Sequence, residues 1–112
     1  MIINITSIEL RSPLQFFVLS YQGLQIYKQL DSNTPCLAKK NTGFWTMHYT
    51  LTAWHNEADM KTFARSGAHA EAMKLSTKLA KEIRILTQEM DEIPDWKTAK
   101  QLVAAHGRVL SF

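Results

Sequence analysis

Apolar and polar positions alternate over residues 2–10, with Ile3, Ile5, Ser7 and Glu9 on one side and Ile2, Asn4, Thr6, Ile8 and Leu10 on the other. A period of two with β-branched side chains predicts a strand. The period then changes. Ser12-Pro13 supplies an N-cap and a first-turn proline, and Leu14, Phe17, Val18 and Tyr21 recur at helical spacing. A helix is expected there, with Gly23 as its left-handed end. Leu24, Ile26, Lys28 and Leu30 alternate with Gln25, Tyr27 and Gln29, which predicts a second strand over residues 24–30. From Asp31 to Gly43, turn-forming residues at both ends and no periodicity predict a long loop, more mobile than the strands it joins. Loops of that kind serve as lids or binding segments, or merely connect.

Residues 44–54 read as one long strand with two unlike rows. Trp45, Met47, Tyr49, Leu51 and Ala53 are apolar, while Phe44, Thr46, His48, Thr50, Thr52 and Trp54 are aromatic at the ends and polar between. The apolar row should meet the chain's own helices, and the mixed row a cavity or a partner subunit. Asn56 caps a following helix, with Asp59 in its first turn and Met60, Phe63 and Ala64 sharing a face. Ser66-Gly67 bends or breaks it, and His69, Ala72, Met73, Ser76 and Leu79 resume the helical spacing. Residues 82–90 alternate as a fourth strand. Asp95 caps a last helix bearing Trp96, Ala99, Val103 and His106, Gly107 closes it, and residues 108–112 offer a short edge strand.

The order β-α-β-β-α-β, followed by a helix, is that of an α+β, ferredoxin-like unit with a C-terminal helix. All 112 residues fit one domain. Helices on one sheet face leave the other uncovered, and an apolar face of that size associates. A second copy is the simplest cover, so a homodimer is expected.

Composition narrows the classes. Apolar content of 46% and charged content of 21% are those of an ordinary globular protein. The net charge of +3 is scattered among acidic residues, so nucleic acid is not an expected partner. No apolar run approaches the ~20 residues that cross a bilayer, and a membrane is not expected either. The first residues lack a basic segment and a cleavage site, which points to the cytoplasm. Cys36 is the single cysteine, so no internal disulfide or cysteine-rich zinc site can form.

Candidate chemistry rests on histidine. His69 follows a glycine break among small neighbours; it could contact a ligand or carry a proton near neutrality, or hydrogen-bond a nearby carbonyl. His48, between Thr46 and Thr50, projects into a cavity or a partner interface. Trp54 and Phe63 could line a pocket or form plain core. Met73 is most simply a packing residue. His55 and His106 stand at element ends, in solvent. No histidine or carboxylate pair has metal-ligand spacing, and no phosphate loop or nucleophile elbow is present.

Three segments carry a resemblance: Gly23-Leu24-Gln25-Ile26-Tyr27-Lys28-Gln29-Leu30, Leu51-Thr52-Ala53-Trp54, and Asn56-Glu57-Ala58-Asp59-Met60-Lys61-Thr62-Phe63-Ala64-Arg65-Ser66. Over about residues 20–75 they resemble the dimeric α+β barrel superfamily, in particular antibiotic-biosynthesis-monooxygenase-type domains and spheroidene monooxygenase-like proteins. The resemblance implies a homodimer, a pocket between sheet and helices, and an oxygenase or a non-catalytic binder of an apolar small molecule. His69 would then transfer a proton, His48 and Thr50 would orient the ligand, and Trp54, Phe63 and Met73 would wall it. In the haem-degrading branch a helix histidine ligates iron. Phe63 here matches that branch's aromatic position, but Met73 stands at the ligand position, with His69 a turn earlier, and the cofactor stays open.

Overall fold

The computed structural model describes residues 1–21, 24–25, 36–64 and 78–111. Five described strands form one antiparallel sheet in the order β2-β3-β1-β4-β5. They are β1 (Ile2–Leu10), β2 (Cys36–Phe44), β3 (Met47–Trp54), β4 (Ala80–Glu89) and β5 (Arg108–Ser111). A 3-10 turn over Pro13–Gln15 leads into helix α1 (residues 16–21), α2 is Glu57–Ala64 and α3 is Trp96–His106. The central four strands have the ferredoxin-like order, and β5 extends the sheet beside β4.

Register builds the core. Ile5 lies opposite Leu51 on β3 and Leu86 on β4, and Ile3 lies opposite Ala53. Ile3, Ile5, Leu51 and Ala53 are buried with Ala99 and Val103 of α3. Each large aliphatic side chain so buried contributes roughly 1.5–3 kcal/mol. At the end of β1 the ladder to β4 slips between Glu9 and Leu10. Leu10 is buried beyond it, opposite Ala80.

The last helix starts and stops as its sequence predicts. Asp95 accepts a hydrogen bond from the Thr98 N–H at 2.8 Å, and the bonds from Thr98 hold its carboxyl below the usual range. Gly107 ends α3 in an extended conformation, with its N–H on the Val103 carbonyl at 3.0 Å. A Cβ there would press on Val103 and on the Arg84 Cβ. Polar ties hold α3 and its entry turn to the sheet: Lys40 Nζ donates to the Pro94 carbonyl at 2.7 Å, and an Arg84 guanidinium N–H donates to the Ala104 carbonyl at 2.7 Å. Lys40 also lies over the Trp96 ring and Lys100 over Tyr49.

Several expectations change. The apolar row Tyr49, Leu51 and Ala53 is met by α3, whereas α1 and α2 lie over the mixed row. The sheet thus has helices on both faces, and the argument that a bare face demands a second copy loses its premise. The long strand over 44–54 is broken: β2 ends at Phe44, Trp45-Thr46 turns, and β3 begins at Met47. Most of the expected loop is strand, because residues 36–43 belong to β2. Leu24 and Gln25 are helical rather than extended. The rest of the strand expected over 24–30, the loop residues 31–35, Gly23 and the Ser66-Gly67 bend lie outside the described residues. Finally, Leu14, Phe17, Val18 and Tyr21 do share a side, but all are exposed. Phe16 and Leu19, one helical turn apart, supply the inward contacts.

Candidate functional site

The site is built at the hairpin between β2 and β3. Phe44 pairs with Met47, leaving Trp45 and Thr46 as a two-residue turn. Trp45 has φ 59°, the one positive φ outside glycine among the described residues. A turn with positive φ at its first central position favours glycine, so tryptophan carries strain there. The turn's carbonyls are used. Thr46 O accepts from Leu10 N at 2.8 Å, and Trp45 O lies 3.0 Å from His48 Nε2.

That contact assigns the imidazole hydrogen. A carbonyl only accepts, so Nε2 donates, and Nδ1 is the acceptor of the neutral ring. Phe16 of α1 stacks on the ring, with centroids 5.2 Å apart and planes at 24°. Gly43, opposite His48 in the ladder, leaves the ring its space; a Cβ there would overlap it. Three elements thereby hold His48: the turn, α1 and β2.

Between α1 and the sheet lies a cavity of about 470 Å³. Ile8, Phe16, Leu19 and Leu24 give it apolar walls, and Asn41, His48 and Thr50 give it polar contacts. That volume suits a small organic ligand, for which pockets run about 300–1,000 Å³.

Trp54 and Phe63 lie elsewhere. Six residues along β3 from His48, or roughly 20 Å at strand rise, Trp54 is 1% exposed and packs on Phe63 at 5.3 Å. Met60, Ile2 and Cys36 complete this cluster. Trp54 Nε1 donates to Thr52 Oγ1 at 2.9 Å. Asn56 fixes α2 by accepting from Asp59 N at 2.9 Å. The Cys36 thiol, bonded to the Ala38 carbonyl at 3.2 Å, is pushed up from its ordinary pKa by burial. The structure thus brings His48 and Thr50 together at the cavity and puts Trp54 and Phe63 in a separate packed cluster. His55 and His106 are exposed. His69 and Met73 lie outside the described residues. Among the described residues no group of three or more His, Cys, Asp or Glu could hold a metal ion.

Phe16, Leu19, Leu24 and Asn41 were missed by reading the sequence. The spacing of Phe16 and Leu19 was a usable signal, masked by the stronger stripe beside it. Asn41 was hidden in a segment read as loop.

No protein-family model matches the chain, and no curated protein does. Solved structures do match. A conserved protein from Methanosarcina mazei superposes with TM-score 0.72 at 14% identity, over 80% of this chain and 92% of that one. Rv0793 from Mycobacterium tuberculosis gives 0.73 at 7% identity, over 84% and 98%. An antibiotic biosynthesis monooxygenase gives 0.67 at 14% identity, over 84% and 100%. The likeness is one of fold. The ferredoxin-like α+β architecture is that of these neighbours. No helix among the described residues is long and apolar enough to cross a membrane.

Proposed function

We propose that the protein takes an apolar small molecule into the cavity beneath α1 and acts on it as an oxygenase of the kind named among its fold neighbours. The observation that carries this reading is the cavity itself, apolar on the α1 side and polar along β3. His48 is its fixed polar group: the ring is held on three sides, with Nε2 on the Trp45 carbonyl and Nδ1 against Gly43, and it lines the cavity. Thr50 and Asn41 add short polar contacts. His69 belongs to the proposal as the proton-transfer group that the sequence points to, and Met73 as a wall residue.

Binding without turnover is the second reading. It is favoured by the scarcity of acid–base groups, since His48 is the one imidazole or carboxylate among the described lining residues. A homodimer is also part of the proposal. Val109 and Ile93 are exposed and Met47 and Tyr49 half-buried. Of these, Met47, Tyr49 and Val109 fall on the α3 side of the sheet, where a second copy would cover them.

Native mass spectrometry of the purified protein, with its absorbance spectrum, tests the function. The expected result is a bound apolar molecule that His48→Ala releases. A Soret band would identify haem and move the chemistry to iron. Loss of the molecule in His69→Ala but not in His48→Ala would overturn the role given to His48.

A further inference from the structure

One end of the molecule presents large apolar side chains that are mostly exposed. Leu14 is 75% exposed, Phe17 72%, Phe44 85% and Trp45 68%. The main-chain bond from Leu10 N to Thr46 O ties the end of β1, which feeds Pro13–Gln15, to the hairpin turn. Phe16 bridges the two groups, 6.2 Å from Phe17 and stacked on His48 beside the turn. The fold does not require this surface. A two-residue hairpin turn favours Asn or Gly, and a tryptophan there adds strain and hydrates a large apolar ring.

Basic residues surround the same end. Arg11 N donates to the Leu79 carbonyl at 3.0 Å, which brings the exposed Arg11, Lys78 and Lys81 together beside the start of α1. Glu9 and Glu82 face each other in the ladder nearby, both half-buried, and Glu82 is bonded by Arg84 at 2.7 Å. Among the described residues the balance at this end is positive.

We propose that this end docks on an anionic lipid surface. Leu14, Phe17, Phe44 and Trp45 enter the boundary between headgroups and acyl chains, and Lys78 and Lys81 meet the headgroups. Aromatic side chains beside lysine and arginine form the chemistry of interfacial anchors. The expectation of no membrane partner rested on the lack of a spanning segment, and docking of this kind needs none. A second copy fits less well. A two-fold contact sets the same patch against itself, so Lys78 and Lys81 of both copies would be brought into one interface, whereas anionic headgroups neutralise them. The cavity adjoins this end through Phe16, Gly43 and His48. Docking therefore places it next to acyl chains, where an apolar ligand concentrates; this last consequence rests on the function proposed above.

Co-sedimentation with ligand-free vesicles tests the docking independently of the cavity. The vesicles are phosphatidylcholine alone or phosphatidylcholine with about a third phosphatidylserine. The protein should pellet with the anionic vesicles, and Trp45 emission should shift to the blue. Phe44→Ser with Trp45→Ser should weaken binding roughly a hundredfold or more, since each buried aromatic contributes about a decade or more in affinity. Lys78→Glu with Lys81→Glu should abolish the preference for phosphatidylserine. All four positions are exposed, so unchanged circular dichroism is expected. Failure to pellet with either vesicle overturns the proposal. So does a dimer that the Phe44 and Trp45 changes dissociate, because a second copy would then occupy the patch.

Discussion

Along β3 one side of the sheet ends in two unlike ways. At the Trp54 end, an aromatic ring from α2 meets the strand's tryptophan, and Met60, Ile2 and Cys36 fill what remains. At the His48 end, an aromatic ring from α1 meets the strand's imidazole, but the neighbours are Thr50, Asn41 and Gly43, and a cavity stays open. Both ends use a helix-borne phenylalanine against a strand-borne ring. The small and polar neighbours, rather than the aromatic pair, decide whether the result is core or pocket. Stability is expected to concentrate at the first end and recognition at the second.

The largest effect that can break this contrast is at Trp54. Trp54→Ala removes the best-buried large side chain of its cluster and should cost about 3–5 kcal/mol, read from the midpoint of urea unfolding. A loss under about 1 kcal/mol, the size of an exposed-site change, would show that this end is not packed as described. Gly43→Ala comes next. The added Cβ displaces the His48 ring, so ligand affinity should fall about tenfold while stability changes by less than about 1 kcal/mol, as at a partly exposed site. Unchanged affinity, measured by titration with the co-purified molecule, would separate His48 from binding.

The smallest effect concerns Cys36, at the closed end. Burial raises its pKa from 9.0, so the fold favours the neutral thiol. Its contribution is fully present below the ordinary thiol value and is lost as pH rises through the raised one. Cys36→Ala should remove that part of the alkaline decline in thermal midpoint. Native Cys36 should also react with a thiol reagent more slowly than the unfolded chain does. Equal rates would mean that this end opens freely.

The sequence spoke clearly where one local signal was strong. β1 alternates without interruption, Asp95 and Gly107 bracket α3, and Asn56 starts α2, so these elements were legible. It misled where two signals competed. Trp45-Thr46 lacks turn chemistry, because the turn is held by its carbonyls' contacts with Leu10 and His48 rather than by glycine, and the strand was read from Phe44 instead of Met47. β2 carries Lys39, Lys40 and Asn41 in place of β-branched residues, and register against β3 overrides that weak propensity. Helix α1 has apolar residues on two sides, so spacing alone chose the outer one. At the site, His48 and Thr50 could be marked from the mixed row of β3. The choice between cavity and core at Trp54 depended on where α1 and α2 cross the sheet, which no residue pattern encodes.

β2 has consequences beyond the cavity it helps to line. Among the described strands it is an outermost one, nine residues long, bonded to β3 on one side. Such a margin offers unpaired main-chain groups on which a stray strand can template, the first step toward fibrillar growth. Two features work against that here. Lysines 39 and 40 stand mid-strand, and the ladder to β3 is irregular between Cys36 and Ala38, which disturbs the straight run a template needs. The opposite margin, β5, is only four residues long. The same lysine that seats α3 through Pro94 and Trp96 thus also stands against strand addition at this margin.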